Sequence, residues 1–211
     1  MAVYDLEEQE KLDELKAWWT QWGNSIIAAI AVFVIVFSGI QWWRGHQQSL
    51  VGEAATLFDS VKKAADEKDP KKVLDAAKAI AEKYPASAYA PRAAFIAAKI
   101  AFDKGDLAGA KTQLEWAVAN AKEDELKSIA RMRLAAVLAD EKNFDGAIKQ
   151  LDANTGAGFE AATATMRGDI LFAQGKLADA KNAYATALAK TDPQADKQLL
   201  QLKLDALGET K

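Results

Sequence analysis

Cysteine is missing from this chain of 211 residues, and histidine occurs once, at position 46. The lack of thiols excludes a disulfide framework, covalent haem attachment, a thiol nucleophile and lipid attachment through cysteine. A single imidazole has no second imidazole or thiol with which to hold a metal, and no partner for a catalytic triad. We therefore interpret His46 as an ordinary polar residue and expect no metal site.

Phosphate-binding and catalytic motifs are lacking as well. There is no G-x-x-x-x-G-K-[ST] loop and no G-x-G-x-x-G after a strand, and "TGAGF" at 155–159 is interpreted as an inter-repeat loop. Carboxylates stand beside lysines at helical spacing, as in "KEDELK", which is typical of solvated helix surfaces. An enzyme would need a pair of perturbed carboxylates in a groove, and no pair stands out. The sequence predicts a protein that is not an enzyme, with no catalytic residues, no cofactor and no small-molecule substrate.

A strong excess of positive charge is also absent. The formal net charge is -3, and residues 1–16 hold six acids and two bases, which leaves 25 bases and 24 acids in residues 44–211. Nucleic-acid-binding proteins usually present a strongly basic face, because phosphate contacts supply much of their affinity. The nearly neutral 44–211 region therefore argues against a nucleic-acid partner.

What the chain does have is one long uncharged run of 27 residues, from Ala17 to Trp43. A helix that spans a bilayer needs only about 20 apolar residues. The centre, residues 26–37, is apolar on all helical faces and offers no polar stripe to solvent. A cleaved signal peptide fits poorly, since the preceding region is acidic and bulky tryptophans follow the run. The sequence predicts a transmembrane helix over 17–43.

Tryptophans gather at both ends of this run. Trp22 and Trp42 are 20 positions apart, which on a helix is about 30 Å, the thickness of the hydrocarbon core. Indole rings favour the membrane–water interface, with the ring toward the lipid chains and the N–H toward water. The predicted membrane-interface residues are Trp18, Trp19, Trp22, Trp42 and Trp43.

Charge does not decide the orientation of this helix. Lys11 and Lys16 on one side oppose Arg44 and, farther away, Lys62 and Lys63 on the other. The positive-inside count is nearly a tie, and large domains cross membranes largely regardless of charge. Both orientations remain open from the residues alone.

The remainder, 44–211, is predicted to be all-α and repetitive. Three turns align, with origins at Gly105, Lys142 and Gly175. A large apolar residue follows each origin by two positions, an alanine by five and a larger residue by nine. A small residue where two helices cross, and a large one that fills the space beside it, is a packing pattern. The predicted repeat-packing residues are Gly105, Leu107, Ala110, Leu114, Phe144, Ala147, Leu151, Gly175, Leu177, Ala180 and Tyr184.

A weaker fourth copy has its origin at Lys68, with Val73 and Ala77 at the two packing positions. The origins are then 37, 37 and 33 residues apart, close to the roughly 34-residue tetratricopeptide repeat. A final apolar stretch, 199–207, is predicted to be a helix that covers the last repeat. The predicted fold is all-α, with one N-terminal transmembrane helix followed by an α-solenoid of degenerate tetratricopeptide-like repeats.

Several segments together carry a family resemblance. They are the acidic start "MAVYDLEEQEKLDELKAWW", the segment "GIQWWRGHQQS" at the end of the span, and, in the repeats, "MRLAAVLADEKNFDGAIKQLD" and "GFEAATATMRGDILFAQGKLADAKNAYATAL". The chain resembles the YfgM-type ancillary subunits of the SecYEG translocon, over essentially its whole length. The end of the span and "RGDILFAQGK" are the most specific parts.

This resemblance implies a location and partners. It implies a bacterial inner-membrane protein with residues 1–16 as a cytoplasmic tail and the repeats in the periplasm. It also implies association with SecYEG, with the membrane-anchored periplasmic chaperone PpiD and with translocating client proteins. The implied role is to help pass translocated proteins to periplasmic chaperones.

From the residues themselves, the leading hypothesis is a membrane-tethered protein interaction module, since stacked repeats offer a surface for segments of partner proteins. Two alternatives remain open. One is a regulatory adaptor that acts through the acidic tail, and the other is a structural scaffold of another cell-envelope complex. The sequence does not identify the protein-binding residues.

Overall fold

The computed structural model describes residues 2–192 and 197–208, without the side chains of residues 2–9 and 47. Part of the predicted acidic tail, 1–16, therefore lies outside the described residues. So do residues 193–196 and 209–211 of the predicted repeat region.

The described part of the chain is helical and contains no strand, which confirms the all-α prediction. The first helix, α1, is also the longest and runs Ala2–Asp66. The other described helices are α2 (Pro70–Lys83), α3 (Tyr89–Asp103), α4 (Leu107–Asn120), α5 (Asp124–Asp140), α6 (Phe144–Asp152), α7 (Glu160–Ala173), α8 (Leu177–Lys190) and α9 (Gln198–Gly208).

By its contacts the chain divides into two units, Met1–Leu50 and Val51–Lys211. In the first unit α1 exposes most of its apolar side chains, including Phe33 and Ile35. It is the one helix of the described chain that is long and apolar enough to cross a membrane. The predicted ends of the span, residues 17 and 43, fall inside this continuous helix and stay predictions.

The five tryptophans predicted to lie at a membrane interface are all exposed by about half or more. Trp18 and Trp19 have ring centroids 6.5 Å apart. At the other end, Trp42 stacks on the imidazole of His46 at 5.9 Å, with the rings nearly parallel. Their role at an interface stays a prediction.

In the second unit the helices stack in the order in which they follow one another along the chain. Each helix from α2 to α9 packs mainly on its neighbours in sequence, and α3 also contacts α5, as α5 contacts α7. Three clusters of buried apolar residues follow one another along the stack, and Trp116 packs against two of them. This nearest-neighbour packing is that of a repeat solenoid, as predicted.

Each of the four predicted repeat origins is a residue in the left-handed backbone conformation. The φ angles of Gly105 and Gly175 are 77° and 75°, and those of Lys68 and Lys142 are 55° and 62°. Glycine adopts this conformation without strain, whereas a residue with a Cβ does not. The four turns therefore share one geometry although only two of them carry glycine.

Hydrogen bonds explain this shared geometry. After α3, the N–H of Gly105 donates to the carbonyl of Phe102 at 2.8 Å, and the N–H of Asp106 donates to that of Ala101 at 2.9 Å. The same two bonds occur after α1, α5 and α7. They form a Schellman motif, which satisfies carbonyl groups that the end of a helix leaves free.

In three of these turns, the residue that directly follows the left-handed residue caps the next helix. The side chains of Asp69, Asp106 and Asn143 accept hydrogen bonds from backbone N–H groups three residues ahead, at 3.1, 2.8 and 3.0 Å. Such a cap satisfies a donor in the first helical turn. Lys176, at the fourth turn, makes no side-chain cap. A connection of three residues thus ends one helix and starts the next, which makes the two helices antiparallel neighbours.

The predicted packing positions lie along these helix pairs. Five residues after each origin, the side chain is completely buried, at Val73, Ala110, Ala147 and Ala180. Nine residues after each origin, it is also buried, at Ala77, Leu114, Leu151 and Tyr184. Two residues after the origin, burial is incomplete: Leu107 and Phe144 are half-buried, and Leu177 is exposed.

The last repeat contains a close approach between α7 and α8. A Cβ at Gly168 would overlap the ring of Tyr184, which is itself buried. The ring therefore fills the space that the missing side chain leaves. Glycine is needed here for close approach, since its backbone conformation is helical.

We expect Lys142→Gly to raise the free energy of unfolding by roughly 0.5–1 kcal/mol, because glycine removes the strain of a left-handed residue with a Cβ. Its greater entropy in the unfolded chain offsets part of the gain. The measurement is urea unfolding of the full chain, followed by far-ultraviolet circular dichroism.

Lys149→Gly is the matched control, because Lys149 is exposed inside α6. Glycine within a helix should lower the free energy of unfolding by about 1 kcal/mol. Equal destabilisation by both changes would contradict the left-handed turn at residue 142.

Candidate protein-binding groove

A groove with a volume of about 750 Å³ lies in the second unit, along the end of α1 and along α3 and α5. A smaller hollow of about 380 Å³ continues it between α3 and α5. The two share the lining residues Phe95, Lys99, Asp103 and Arg133. Each of these three helices ends at one of the left-handed turns, so the groove is formed by the first helices of successive repeats.

Helix α3 supplies half of the residues that line this groove. Arg92, Ile96, Lys99 and Asp103 recur at intervals of three or four residues, which places them on one helical face. The buried face of α3 is rich in small residues, at Ala90, Ala93, Ala94, Ala97 and Ala98. Alanine allows the neighbouring helices to pack closely, while the larger side chains of α3 project into the groove.

The floor of the groove is apolar. Phe58, from α1, and Ile96 and Ile100, from α3, are each half-buried. Phe95 is almost fully buried, and the guanidinium of Arg133 lies over its ring at 4.7 Å. A contiguous apolar surface that stays open to solvent is typical of an interaction site.

Positive charge surrounds this floor. Five cationic side chains line the groove, Lys68, Arg92, Lys99, Lys104 and Arg133. Among the residues that the structure describes, the one carboxylate in the lining is that of Asp103, which is paired with Lys99 at 2.8 Å. The groove is therefore electropositive, although the chain as a whole carries a formal charge of -3.

A second group of polar residues holds the end of the stack. The hydroxyl of Tyr184 donates to the carboxylate of Asp169 at 2.6 Å, and Lys203, from α9, pairs with the same carboxylate. Burial, followed by the hydrogen bond to Asp169, raises the pKa of Tyr184 above its usual value. Its phenol therefore stays protonated and keeps donating, which gives this group a structural role between α7, α8 and α9.

The stretch "TGAGF", predicted to be a loop, does connect α6 to α7. A Cβ at Gly156 would overlap the buried Ser128 of α5, so the loop packs closely on that helix. A polar hollow of about 350 Å³ lies beside it. Asn154 donates to Thr163 at 3.1 Å across the loop, which ties the loop to the next repeat.

The predicted repeat-packing residues do not form this groove. Among them only Leu114 lines the smaller hollow, and the others line neither the groove nor that hollow. Sequence reasoning left the binding residues unidentified. The recurrence of Arg92, Ile96 and Lys99 on a helix that already has an alanine face is the signal that could have found them.

The geometry offers surface and charge for binding. Within the described residues, no group of three or more His, Asp or Glu side chains could hold a metal ion. An apolar floor with cationic edges can bury apolar side chains of a partner and pair with its carboxylates.

The fold and the groove define a class of protein, a tetratricopeptide-type repeat domain that follows a candidate membrane helix. A family model described as a tetratricopeptide repeat-like domain matches residues 16–209.

The names of similar proteins narrow this class further. A protein of Neisseria gonorrhoeae named ancillary SecYEG translocon subunit is 31% identical over 209 residues, which cover 98% of this chain and 100% of that protein. Proteins of the same name in Haemophilus influenzae and Escherichia coli strain K12 are 29% and 26% identical, with 97% and 99% of this chain and 100% of each protein covered. The chain belongs to the family of ancillary SecYEG translocon subunits.

Substitution of two isoleucines distinguishes a residue of the groove from a residue of the core. We expect Ile80→Ala to lower the free energy of unfolding by about 2–5 kcal/mol, because Ile80 is completely buried. Ile96→Ala should cost only about 1 kcal/mol, because Ile96 is only partly buried and alanine favours the helix. Urea unfolding of the two full-length variants measures both values, and equal losses would show that Ile96 is a core residue.

Proposed function

We propose that this chain is a single-span protein of the bacterial inner membrane, with the span at 17–43 and the repeats in the periplasm. In this proposal it is an ancillary subunit of the SecYEG translocon, and its repeat domain is an interaction module without catalytic activity. The groove receives segments of partner proteins, and the tether keeps it beside the translocon. Translocated proteins would pass through this contact toward periplasmic chaperones.

One observation carries the proposal, namely the open apolar groove with cationic edges on a repeat scaffold. Such scaffolds bind extended or helical segments of partners along the surface formed by successive repeats. The candidate membrane helix and the names of the relatives support the location and the translocon as partner. The chaperone PpiD is a further partner that the family resemblance implies.

Topology gives the first test. We expect protease added to intact spheroplasts to digest the repeat domain, because a periplasmic domain is accessible once the outer membrane is opened. A cytoplasmic protein and a periplasmic protein of the same cells serve as markers. Protection of the repeats until the inner membrane is permeabilised would overturn the proposal in favour of a cytoplasmic adaptor.

The tether gives the second test. Replacing residues 1–43 by a cleaved secretion signal should abolish co-purification with SecYEG, while circular dichroism shows that the released domain is folded. The matched control keeps an anchor but replaces residues 17–43 by an unrelated span of equal length. Undiminished association of the released domain would count against a membrane-mediated contact.

A further inference from the structure

We infer that the groove binds an amphipathic segment of a partner protein, one whose apolar stripe is flanked by Asp and Glu residues. This inference rests on the proposed function, because it names the chemistry of the partner for the same groove. Beyond a general interaction module, it states that the groove selects acidic over basic segments.

The floor of the groove favours an apolar occupant. Phe58, Ile96 and Ile100 are half-buried and line the groove, and Phe102, which lines the smaller hollow that continues it, is 41% exposed. By contrast, Ala93, Ala94, Ala97 and Ala98 of α3 are buried. An occupant with several Leu- or Phe-sized side chains would remove this surface from water, which is favourable in proportion to the area covered.

The distribution of charge in the groove favours an acidic occupant. In the described part of the chain, five cations line the groove against one carboxylate, and Lys99 already pairs with that carboxylate. Two of the cations are arginines, Arg92 and Arg133, whose planar guanidinium groups pair with carboxylates through two parallel hydrogen bonds. A basic segment would meet an excess of like charges, which disfavours it.

The spacing of the cations sets the length of the occupant. Arg92 lies in the first turn of α3, and Lys104 lies just after its end. Lys68, just after α1, lines the same groove. Twelve positions on a helix correspond to about 18 Å, so a helical occupant that meets cations at both ends needs about 12 residues. Its carboxylates should stand at both ends of its apolar stripe.

Labelled peptides test this inference on the full chain, held in nanodiscs of phosphatidylcholine. The acidic probe has 14 residues, with Leu at positions 2, 6, 9 and 13 and Glu beside them. One matched peptide replaces each Glu by Lys, and another replaces each Leu by Ser. Fluorescence anisotropy should show that the acidic probe binds at least tenfold more tightly than either, and that its affinity falls as salt rises.

Variants locate the binding. Arg92→Glu with Arg133→Glu should weaken the acidic probe at least tenfold, and Arg92→Gln with Arg133→Gln should weaken it less. The matched control, Lys149→Glu with Lys190→Glu, changes the charge equally on exposed residues of α6 and α8 that do not line the groove, and should leave binding unchanged. If the Glu pair unfolds the domain, the Gln pair still tests the site.

Three results would overturn the inference. Equal binding of the acidic and basic probes would remove the selection for charge, and no binding of the acidic probe would remove this occupant. Crosslinks from a photoreactive residue at position 96 to a second copy of the chain or to lipid, unaffected by the probe, would assign the groove to another occupant. Translocon co-purification tests the proposed function separately, so the two can fail independently.

Discussion

The left-handed turn after the first helix of each repeat is the constraint on which the rest of the structure depends. At Lys68, Gly105, Lys142 and Gly175 the chain reverses within three residues. A Schellman motif satisfies the last carbonyls of one helix, and in three of the four turns the next residue caps the following helix. So short a connection leaves the two helices no freedom to separate. They must then meet on small side chains, which is why the fifth residue after each origin is Val or Ala and fully buried.

The turns could be predicted because their chemistry is local. Glycine at Gly105 and Gly175 directly indicates a left-handed residue, and Asp106 and Asn143 indicate the start of a helix. Lys68 and Lys142 carry no such signal, and only the packing residues that follow them mark them as repeat origins. In physical terms the backbone geometry imposed by the two flanking helices outweighs the strain at each lysine. The closing helix was also predicted, and residues 199–207 lie within α9.

The groove could not be predicted, because it joins residues from Phe58 to Arg133 that meet only after three helices have packed. In the sequence Ile96 and Ile100 have the same helical spacing as core residues, so only the fold distinguishes half-buried from buried. Leu177 is the opposite case. It is apolar and has the same position in its repeat as Leu107, but the fold leaves it exposed. Ion pairs such as Lys203 with Asp169 are likewise formed between residues far apart in sequence. Side chains that bind a partner are thus set by tertiary packing, whereas the repeat is set by local geometry.

The packing of each helix on its neighbours in sequence also has a consequence for the order of folding. Contacts in the second unit are short in sequence, apart from the secondary contacts of α3 with α5 and of α5 with α7. Little chain entropy has to be lost before the first contacts form, and domains rich in local contacts fold quickly for this reason. A pair of helices joined by one of the short turns can therefore act as a nucleus on which the next pair assembles. Structure can grow along the chain without waiting for its two ends to meet.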